Sequence, residues 1–575
     1  MHTEKSFEKN TVVTSLTTNG GYLEGNPSDY DKSLALFPTD VIAFIKATQP
    51  ELYDRIERGQ KANTESYILK FLTNALASSG SLNVLRHGFN CYGKTIKMAY
   101  FAPNTSLNSS SKEHYDGNIL KVTQQVHTEF NEIPDLILSV NGIPVVTIEL
   151  KNQLSATRWN VEDAIIQYKQ DRNPNGRLFA FKTRTLVHFA VDTDLVYMTT
   201  RLNGQDTYFL PFNRGHKGGA GNPPVEGNVR THYLWEQVLA KDSLMDIIGR
   251  FIHLEVIEKK IKTETGYRHQ QSETMIFPRY HQLDCVRKLT HHSREHGAGR
   301  NYLIQHSAGS GKSNSIAWLA HHLSSMHNEH DDKVFDATIV ITDRVVLDRQ
   351  LQDTITQFEH KAGVVQKIDE DSHQLAKAIA SDTQIIITTI QKFPFVMDAV
   401  KKLRDEGSHL DLDTKGKKFA IIVDEAHNSQ SGETATELRK VLNQDGIESA
   451  IAQEFLFDGS DDDDGLDAQA KVQLYRETHK RQRQPNLSFF AFTATPKWKT
   501  LALFDEPGDN GQSPFHTYTM RQAIEEGFIF DVLSNYTNYK QYFKLLKIAQ
   551  DDKEVVKNQT KKQLLRFVSL HPSVI

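Results

Sequence analysis

Asp135 and Glu149-Leu150-Lys151 stand at the two ends of "PDLILSVNGIPVVTIELKNQ" (134–153). The apolar runs between them flank Asn-Gly, the pair that best fits a type I′ turn, because both central positions of that turn need positive φ. Period-two alternation puts Glu149 and Lys151 on one face of a half-buried second strand, and the hairpin lets Asp135 approach them. Two carboxylates held a few ångströms apart repel, and a hard divalent cation such as Mg²⁺ relieves that repulsion. Such an ion, together with Lys151, would orient and activate a water against a phosphodiester, with the Leu150 carbonyl completing its shell. Glu8, in "SFEKNTVVTSL", is a further carboxylate that a first helix would lend.

A second set of residues gathers around "LIQHSAGSGKSNSIAWLAH" (303–321). A strand ends near His306, a loop of small residues follows, and a helix begins at Lys312-Ser313. His306 occupies the place of the first glycine in G-x-x-x-x-G-K-[ST]. Gly309 and Gly311 still let the Ala308-Gly309-Ser310-Gly311 backbone wrap a phosphate, and the helix adds its positive end. Lys312 would reach the β- and γ-phosphates of ATP, and the Ser313 hydroxyl would ligate Mg²⁺. In "FAIIVDEAHNS" (419–429), Asp424 and Glu425 follow a buried strand, where an acid pair can face that loop; Asp424 would hold Mg²⁺ and Glu425 would polarise the attacking water. Thr493 and Thr495, in "FAFTATP", offer hydroxyls that sense the γ-phosphate, and Gln282, in "FPRYHQLD", offers an amide for the adenine edge.

These groups need elements to position them. At 575 residues the chain exceeds one core, and three domains are expected: 1–255, 256–515 with an acidic insertion at about 428–487, and 516–575. Hydrophobic residues make up 38% and charged residues 24%, the composition of a globular chain. Lys and Arg number 67 against 72 Asp and Glu, a net charge of −5, so any DNA contact must rest on a local basic surface. Cys91 and Cys285 match no metal spacing and read as buried free thiols. No apolar run approaches the roughly 18 residues that span a bilayer, and the start lacks a signal-peptide pattern, so a cytoplasmic setting without a membrane is expected. After about residue 275, "NYLIQH", "DATIVIT", "TQIIITT", "FAIIVDEAH" and "LSFFAFTATP" alternate with helical patterns, which implies a parallel doubly wound α/β sheet. "LVHFAVDTDLVYMTT" (186–200) reads as two strands, "FNRGHKGGAGNPPVEG" (212–227) as a linker loop, "YLWEQVLAKDSLMDIIGRFIHLE" (233–255) as helical, and "DGSDDDDG" (458–465) as a solvated loop.

In this order, Gln282, Lys312-Ser313, Asp424 to His427 and Thr493 to Thr495 resemble the motor of superfamily-two helicases and translocases. "TDRVVLDRQL" (342–351), with Arg344, and "TTIQKF" (388–393), with Thr389, sit where that family contacts the nucleic-acid backbone. Pro134-Asp135 and Glu149-Leu150-Lys151 resemble the PD-(D/E)xK nuclease core. That family often carries Gln-x-x-x-Tyr on the next helix; "DAIIQYKQDRNP" (163–174) has Tyr168, but Ala164 fills the glutamine position and Gln167 directly precedes the tyrosine. Tyr168, Lys169 and Arg172, with Gln167 displaced from the family's glutamine position beside them, are expected to hold a DNA backbone, contacts that fix register without reading sequence.

A metal-dependent nuclease ahead of such a motor resembles the restriction (R, or HsdR) subunit of type I restriction-modification systems, and the segments 202–223, 231–255 and 277–286 resemble its connecting region. The expected fold is α/β: a PD-(D/E)xK domain, a RecA-like lobe and the start of a second RecA-like lobe. The resemblance implies ATP and Mg²⁺ as cofactors and double-stranded DNA with methyltransferase and specificity subunits as partners. The activity it implies is ATP-driven DNA translocation with cleavage far from the recognition site. Arg214 and Lys217 are expected to couple nucleotide state to cleavage. No motif that would carry a second lobe's arginine follows Pro496, so the chain is expected to be the N-terminal part of a longer subunit with weak ATPase alone, since such a residue is worth ~10³–10⁵ in rate. A stand-alone helicase-nuclease in DNA repair or phage defence is the alternative.

Overall fold

Two seven-stranded sheets organise the chain. The computed structural model describes residues 7–105, 109–153, 159–263, 266–342, 345–358, 363–368, 372–381, 383–389, 392, 416–426, 442, 484–506 and 514–531. Arg344, His427 and the acidic run at 458–465 lie outside the described residues, as does the expected second-lobe segment beyond 531.

The N-terminal half holds β1 (Leu23–Glu24), β2 (Phe89–Cys91), β3 (Lys94–Ile96), β4 (Leu120–Gln124), β5 (Leu136–Val140), β6 (Ile143–Leu150), β7 (Val187–Val191), β8 (Val196–Thr199) and β9 (Leu210–Pro211). β2 and β3 form a separate small hairpin; the other seven make one mixed sheet in the order β1-β4-β5-β6-β7-β8-β9. The turn between β5 and β6 is the Asn-Gly turn expected from sequence, with φ of 51° at Asn141 and 83° at Gly142. Gly142 is required twice over, since an added Cβ there would lie 2.5 Å from the Phe37 carbonyl oxygen. β6 is buried along its whole length, which corrects the half-buried expectation: it is central, with β5 antiparallel on one side and β7 parallel on the other.

A parallel β6–β7 pair needs a crossover, and the helix Val161–Asp171 supplies it. Asn160 caps its start by accepting from the Glu162 N–H at 2.8 Å, while Asp163 accepts from the Asn160 N–H at 2.8 Å. Val161, Ala164, Ile165 and Tyr168 recur at helical spacing and are the buried face.

The expected helical stretch 233–255 ends at Phe251, and the chain then turns into a long antiparallel hairpin of β10 (His253–Thr263) and β11 (Gly266–Ile276). The expected domain boundary at 255 therefore falls inside a strand. The preceding segment packs onto the second half, where Trp318 Nε1 donates to the Phe251 carbonyl at 2.7 Å.

The second sheet comprises β12 (Asn301–His306), β13 (Ala337–Thr342), β14 (Val365–Lys367), β15 (Ile385–Thr389), β16 (Phe419–Val423), β17 (Leu487–Thr493) and β18 (His516–Tyr518). Its order is β14-β15-β13-β16-β17-β12-β18 and every pairing is parallel. The five apolar runs read from the sequence are β12, β13, β15, β16 and β17. β18 corrects the expectation that 516 begins a linker toward a second lobe, because it extends this first sheet beside β12. A strand of three residues is too short to carry a readable periodicity.

Candidate active sites

At the end of the β5–β6 hairpin, Asp135 Oδ2 accepts from the Leu150 N–H at 2.8 Å, which pins the aspartate against the Glu149–Lys151 corner. Glu149 is 0% exposed. Its Oε1 accepts from Arg172 at 2.8 Å (Nε) and 2.7 Å (Nη2), two charge-assisted contacts. Its Oε2 has no hydrogen-bond partner among the described residues, although it is buried. Burial, then the neighbouring Asp135 charge, push the Glu149 carboxyl well above the usual carboxylate range; Arg172 and Lys151 oppose the rise. Lys151 is buried, with its ammonium 5.0 Å from the centre of the Trp159 ring.

Glu8 joins this corner. It is buried, its Oε1 accepts from Gln124 Nε2 at 3.0 Å, and Gln125 Nε2 lies 3.5 Å from both Glu8 Oε1 and Asp135 Oδ1. Gln124 and Gln125 were missed in the sequence because their partners lie far away along the chain. The orphaned Glu149 oxygen and the converging carboxylates fit a hard divalent cation: Asp135 and Glu149, with Glu8 behind them, would hold it.

Two expected DNA contacts are corrected. Tyr168 is 0% exposed; its hydroxyl pairs with Thr147 Oγ1 at 2.9 Å, and Thr147 pairs with His188 Nδ1 at 2.7 Å. It is a core residue because the buried face of its helix needs one there. Arg172 is buried as well, and besides Glu149 it donates to the Ile133 carbonyl at 3.0 Å. Its guanidinium is the counter-ion of the acid corner. Gln167 is half-buried on the same helix.

In the second sheet the phosphate-type loop follows β12, and the acid pair follows β16, with β17 between the two strands. Lys312 Nζ nevertheless reaches Glu425 Oε1 at 3.4 Å. Glu425 takes a left-handed φ of 49°, and its N–H donates to Asp424 Oδ1 at 3.0 Å. The Asp424 N–H is in turn held by the Ile341 carbonyl at 3.0 Å. Thr493 is buried and accepts from the Thr495 N–H at 3.3 Å; Thr495 itself is exposed. The two motifs are braced together, as the Ala426 N–H donates to the Phe492 carbonyl at 2.9 Å and Thr500 Oγ1 donates to the Ala426 carbonyl at 3.2 Å.

Gly309 and Gly311 have φ of 72° and 76°, and an added Cβ at Gly311 would lie 2.5 Å from Gln282 Nε2. This cradle, which side chains would fill, fits a phosphate chain, with Ala308 and Ser310 in the loop and Ser313 in the helix's first turn. Gln282 differs from its expected role. Its Nε2 donates to the Ser310 and Gly311 carbonyls at 3.3 and 2.9 Å, and its Oε1 accepts from the Arg279 N–H at 2.9 Å. The amide nitrogen braces the loop while the oxygen caps the start of its own helix, so both ends are engaged within the protein. Thr389 is buried at the end of β15, which does not suit the expected surface contact.

The loop holding Arg214 and Lys217 packs against the helix Met520–Glu525: Thr519 Oγ1 donates to the Gly218 carbonyl at 2.6 Å, and Glu525 Oε2 accepts from the Ala220 N–H at 2.7 Å. Both basic side chains are exposed.

Residues 47–207 match the family described as the type I restriction enzyme R protein N terminus, and residues 281–447 match the SWI2/SNF2 ATPase family. The HindI endonuclease subunit of a type I restriction enzyme from Haemophilus influenzae is 25% identical over 425 residues, 72% of this chain and 34% of that one. A putative type I restriction enzyme MjaVIIIP endonuclease subunit from Methanocaldococcus jannaschii is 25% identical over 354 residues, 57% of this chain and 31% of that one. The chain thus spans about a third of the length of these curated relatives. A fragment of a putative HsdR subunit from Vibrio vulnificus YJ016 is 15% identical, covering 79% of this chain and 65% of that one, at a TM-score of 0.27 that adds nothing to the sequence matches. Among the described residues no helix is long and apolar enough to cross a membrane.

Proposed function

With the R-protein N terminus of type I restriction enzymes and a SWI2/SNF2-type ATPase joined in one chain, we propose that it acts as the restriction subunit of such a system. Its motor hydrolyses ATP to pull double-stranded DNA, and its N-terminal domain cuts that DNA far from the recognition site. Methyltransferase and specificity subunits are the partners, and the setting is the cytoplasm. The observation that carries the reading is the corner where Asp135 meets Glu149, a wholly buried carboxylate with one oxygen unpartnered among the described residues.

In this reading Asp135 and Glu149 hold Mg²⁺, which when bound lowers the pKa of a coordinated water and neutralises charge on the phosphodiester. Arg172 opposes the rise of the Glu149 carboxyl and aims it. Lys151, buried at the same corner beside Trp159, is the cation that would meet the phosphodiester. In the motor, Gly309 and Gly311 shape the backbone around the phosphates, Lys312 takes the terminal phosphates, and Ser313 and Asp424 hold Mg²⁺. Glu425 then exchanges its pairing with Lys312 for the attacking water.

The test is cleavage of supercoiled plasmid by the chain with purified partner subunits, ATP and Mg²⁺, alongside ATP hydrolysis. Asp135→Ala should hydrolyse ATP and fail to cut; Lys312→Ala should do neither. Continued cutting by Asp135→Ala would remove the proposed nuclease site. Full cutting without either partner subunit would favour the stand-alone helicase-nuclease.

A further inference from the structure

His306, which departs from the glycine of the usual loop motif, is wholly buried at the end of β12. Its Nε2 lies 2.8 Å from His516 Nδ1, and His516 Nε2 lies 3.0 Å from Asp284 Oδ2, which Lys288 also meets at 2.7 Å. Asp284 accepts from His516 Nε2–H, and the inner bond joins His516 Nδ1 to His306 Nε2 with a single proton between them, carried by either ring. Burial raises the Asp284 carboxyl, but His516 and Lys288 outweigh it and hold it at about 2. Burial, then His516, His281 and Lys312, keep His306 neutral, far below the ordinary imidazole range.

His516 lies in β18, whose next step fastens the loop again: the Ser307 N–H donates to the Tyr518 carbonyl at 3.0 Å. One residue on, Thr519 caps the helix Met520–Glu525 by accepting from the Gln522 N–H at 3.0 Å, and the same hydroxyl donates to the Gly218 carbonyl. Only this short stretch separates the root of the phosphate loop from loop 213–222 of the N-terminal half.

We infer that Asp284, His516 and His306 form a positioning chain for the nucleotide reaction, which fixes the root of the phosphate loop to β18 and carries nucleotide occupancy to loop 213–222. The inference rests on the ATPase reading above. A glycine at 306 would leave His516 Nδ1 without its partner and leave the strand end held to β18 by backbone bonds alone. A glutamine would keep an N–H at nearly the place of Nε2.

The experiment compares wild type, His306→Gly, His306→Gln and Lys312→Ala as full chains. Each is measured for affinity for a fluorescent ATP analogue, DNA-stimulated ATP hydrolysis, and hydrogen exchange across 213–222 at saturating nucleotide. His306→Gly should lower kcat by about 10²-fold with little change in KM, the scale of an ångström misplacement. It should also lose the nucleotide-induced protection of 213–222 while nucleotide is bound; His306→Gln should restore both. Wild-type kcat and protection in His306→Gly, or equal loss in both His306 variants, would overturn the chain. If Lys312→Ala binds and hydrolyses like wild type, the ATPase reading itself fails. Cys285 Sγ lies with the two imidazoles inside 4.8 Å. One zinc per wild-type chain that is lost in Cys285→Ser would also overturn the inference and make the trio a metal site.

Discussion

Arg172 Nη2 and Glu149 Oε1 lie 2.7 Å apart, both all but sealed from solvent. The helix after β6 thus reaches back to supply the counter-charge for the carboxylate at that strand's end. Removing one partner of such a pair leaves the other buried and uncompensated. Arg172→Ala should therefore cost about 3–5 kcal/mol of stability, seen as a lowered urea midpoint. A variant that unfolds like wild type but binds DNA weakly would return Arg172 to the role of a backbone contact.

The same corner should respond to divalent cations. In wild type, Mn²⁺ or Mg²⁺ at about 100 times its Kd should stabilise the fold by about 2.7 kcal/mol, and Asp135→Ala should lose that gain. Protons compete with the ion, and the Glu149 carboxyl is raised, so cation stabilisation should fade at a pH above the ordinary carboxylate range. Without a cation the sign reverses. An acid raised by folding contributes fully below its unfolded pKa, and the contribution is lost as pH rises through the raised value. Melting curves across pH, with and without the ion, should diverge as pH increases; parallel curves would argue against a cation at Glu149.

Tyr168→Phe removes one buried hydrogen bond, to Thr147, and leaves the ring packed. A loss of about 1 kcal/mol is expected, with DNA affinity and cleavage unchanged. Weakened DNA binding in a normally folded variant would show that the hydroxyl reaches DNA after all.

Glu425→Gln should keep nucleotide affinity, because the loop backbone is untouched and Lys312 keeps its charge while losing only its ion-pair partner. Hydrolysis should fall by about 10²–10⁴-fold, the scale of a lost general base. Single-turnover hydrolysis beside equilibrium binding of the same analogue separates these effects. Equal loss of binding would mean that the 3.4 Å Lys312–Glu425 pair shapes the loop in the resting state.

Lys217→Ala should alter cleavage more than DNA binding. Lys217 has a φ of 50° and sits in the loop held by Thr519 and Glu525. Plasmid cutting and gel-shift affinity, measured on one preparation, decide it. Equal losses in both would make the residue a plain DNA contact.

The sequence alone determined whatever depends on neighbours along the chain. Asn141-Gly142 specified the hairpin, since few other pairs accept two positive φ values in succession. Gly309, Gly311 and Lys312 specified the loop, and the five long apolar strands of the second sheet announced burial on both faces. Tertiary structure decided everything that depends on which distant group fills a shared space. Helical spacing placed Tyr168 on one face of its helix but could not say that β6 and β7 lay beneath it. Arg172 read as a surface cation because Glu149, far back along the chain, was not yet beside it. The Gln282 amide became a brace only when the Ser310 and Gly311 carbonyls closed on its nitrogen. His306 was visible as a departure from a motif, yet its meaning waited for His516, brought from the far end of the described chain by three residues of parallel pairing. A buried charge or lone pair must find a partner wherever the fold provides one, and that search runs through space rather than along the sequence.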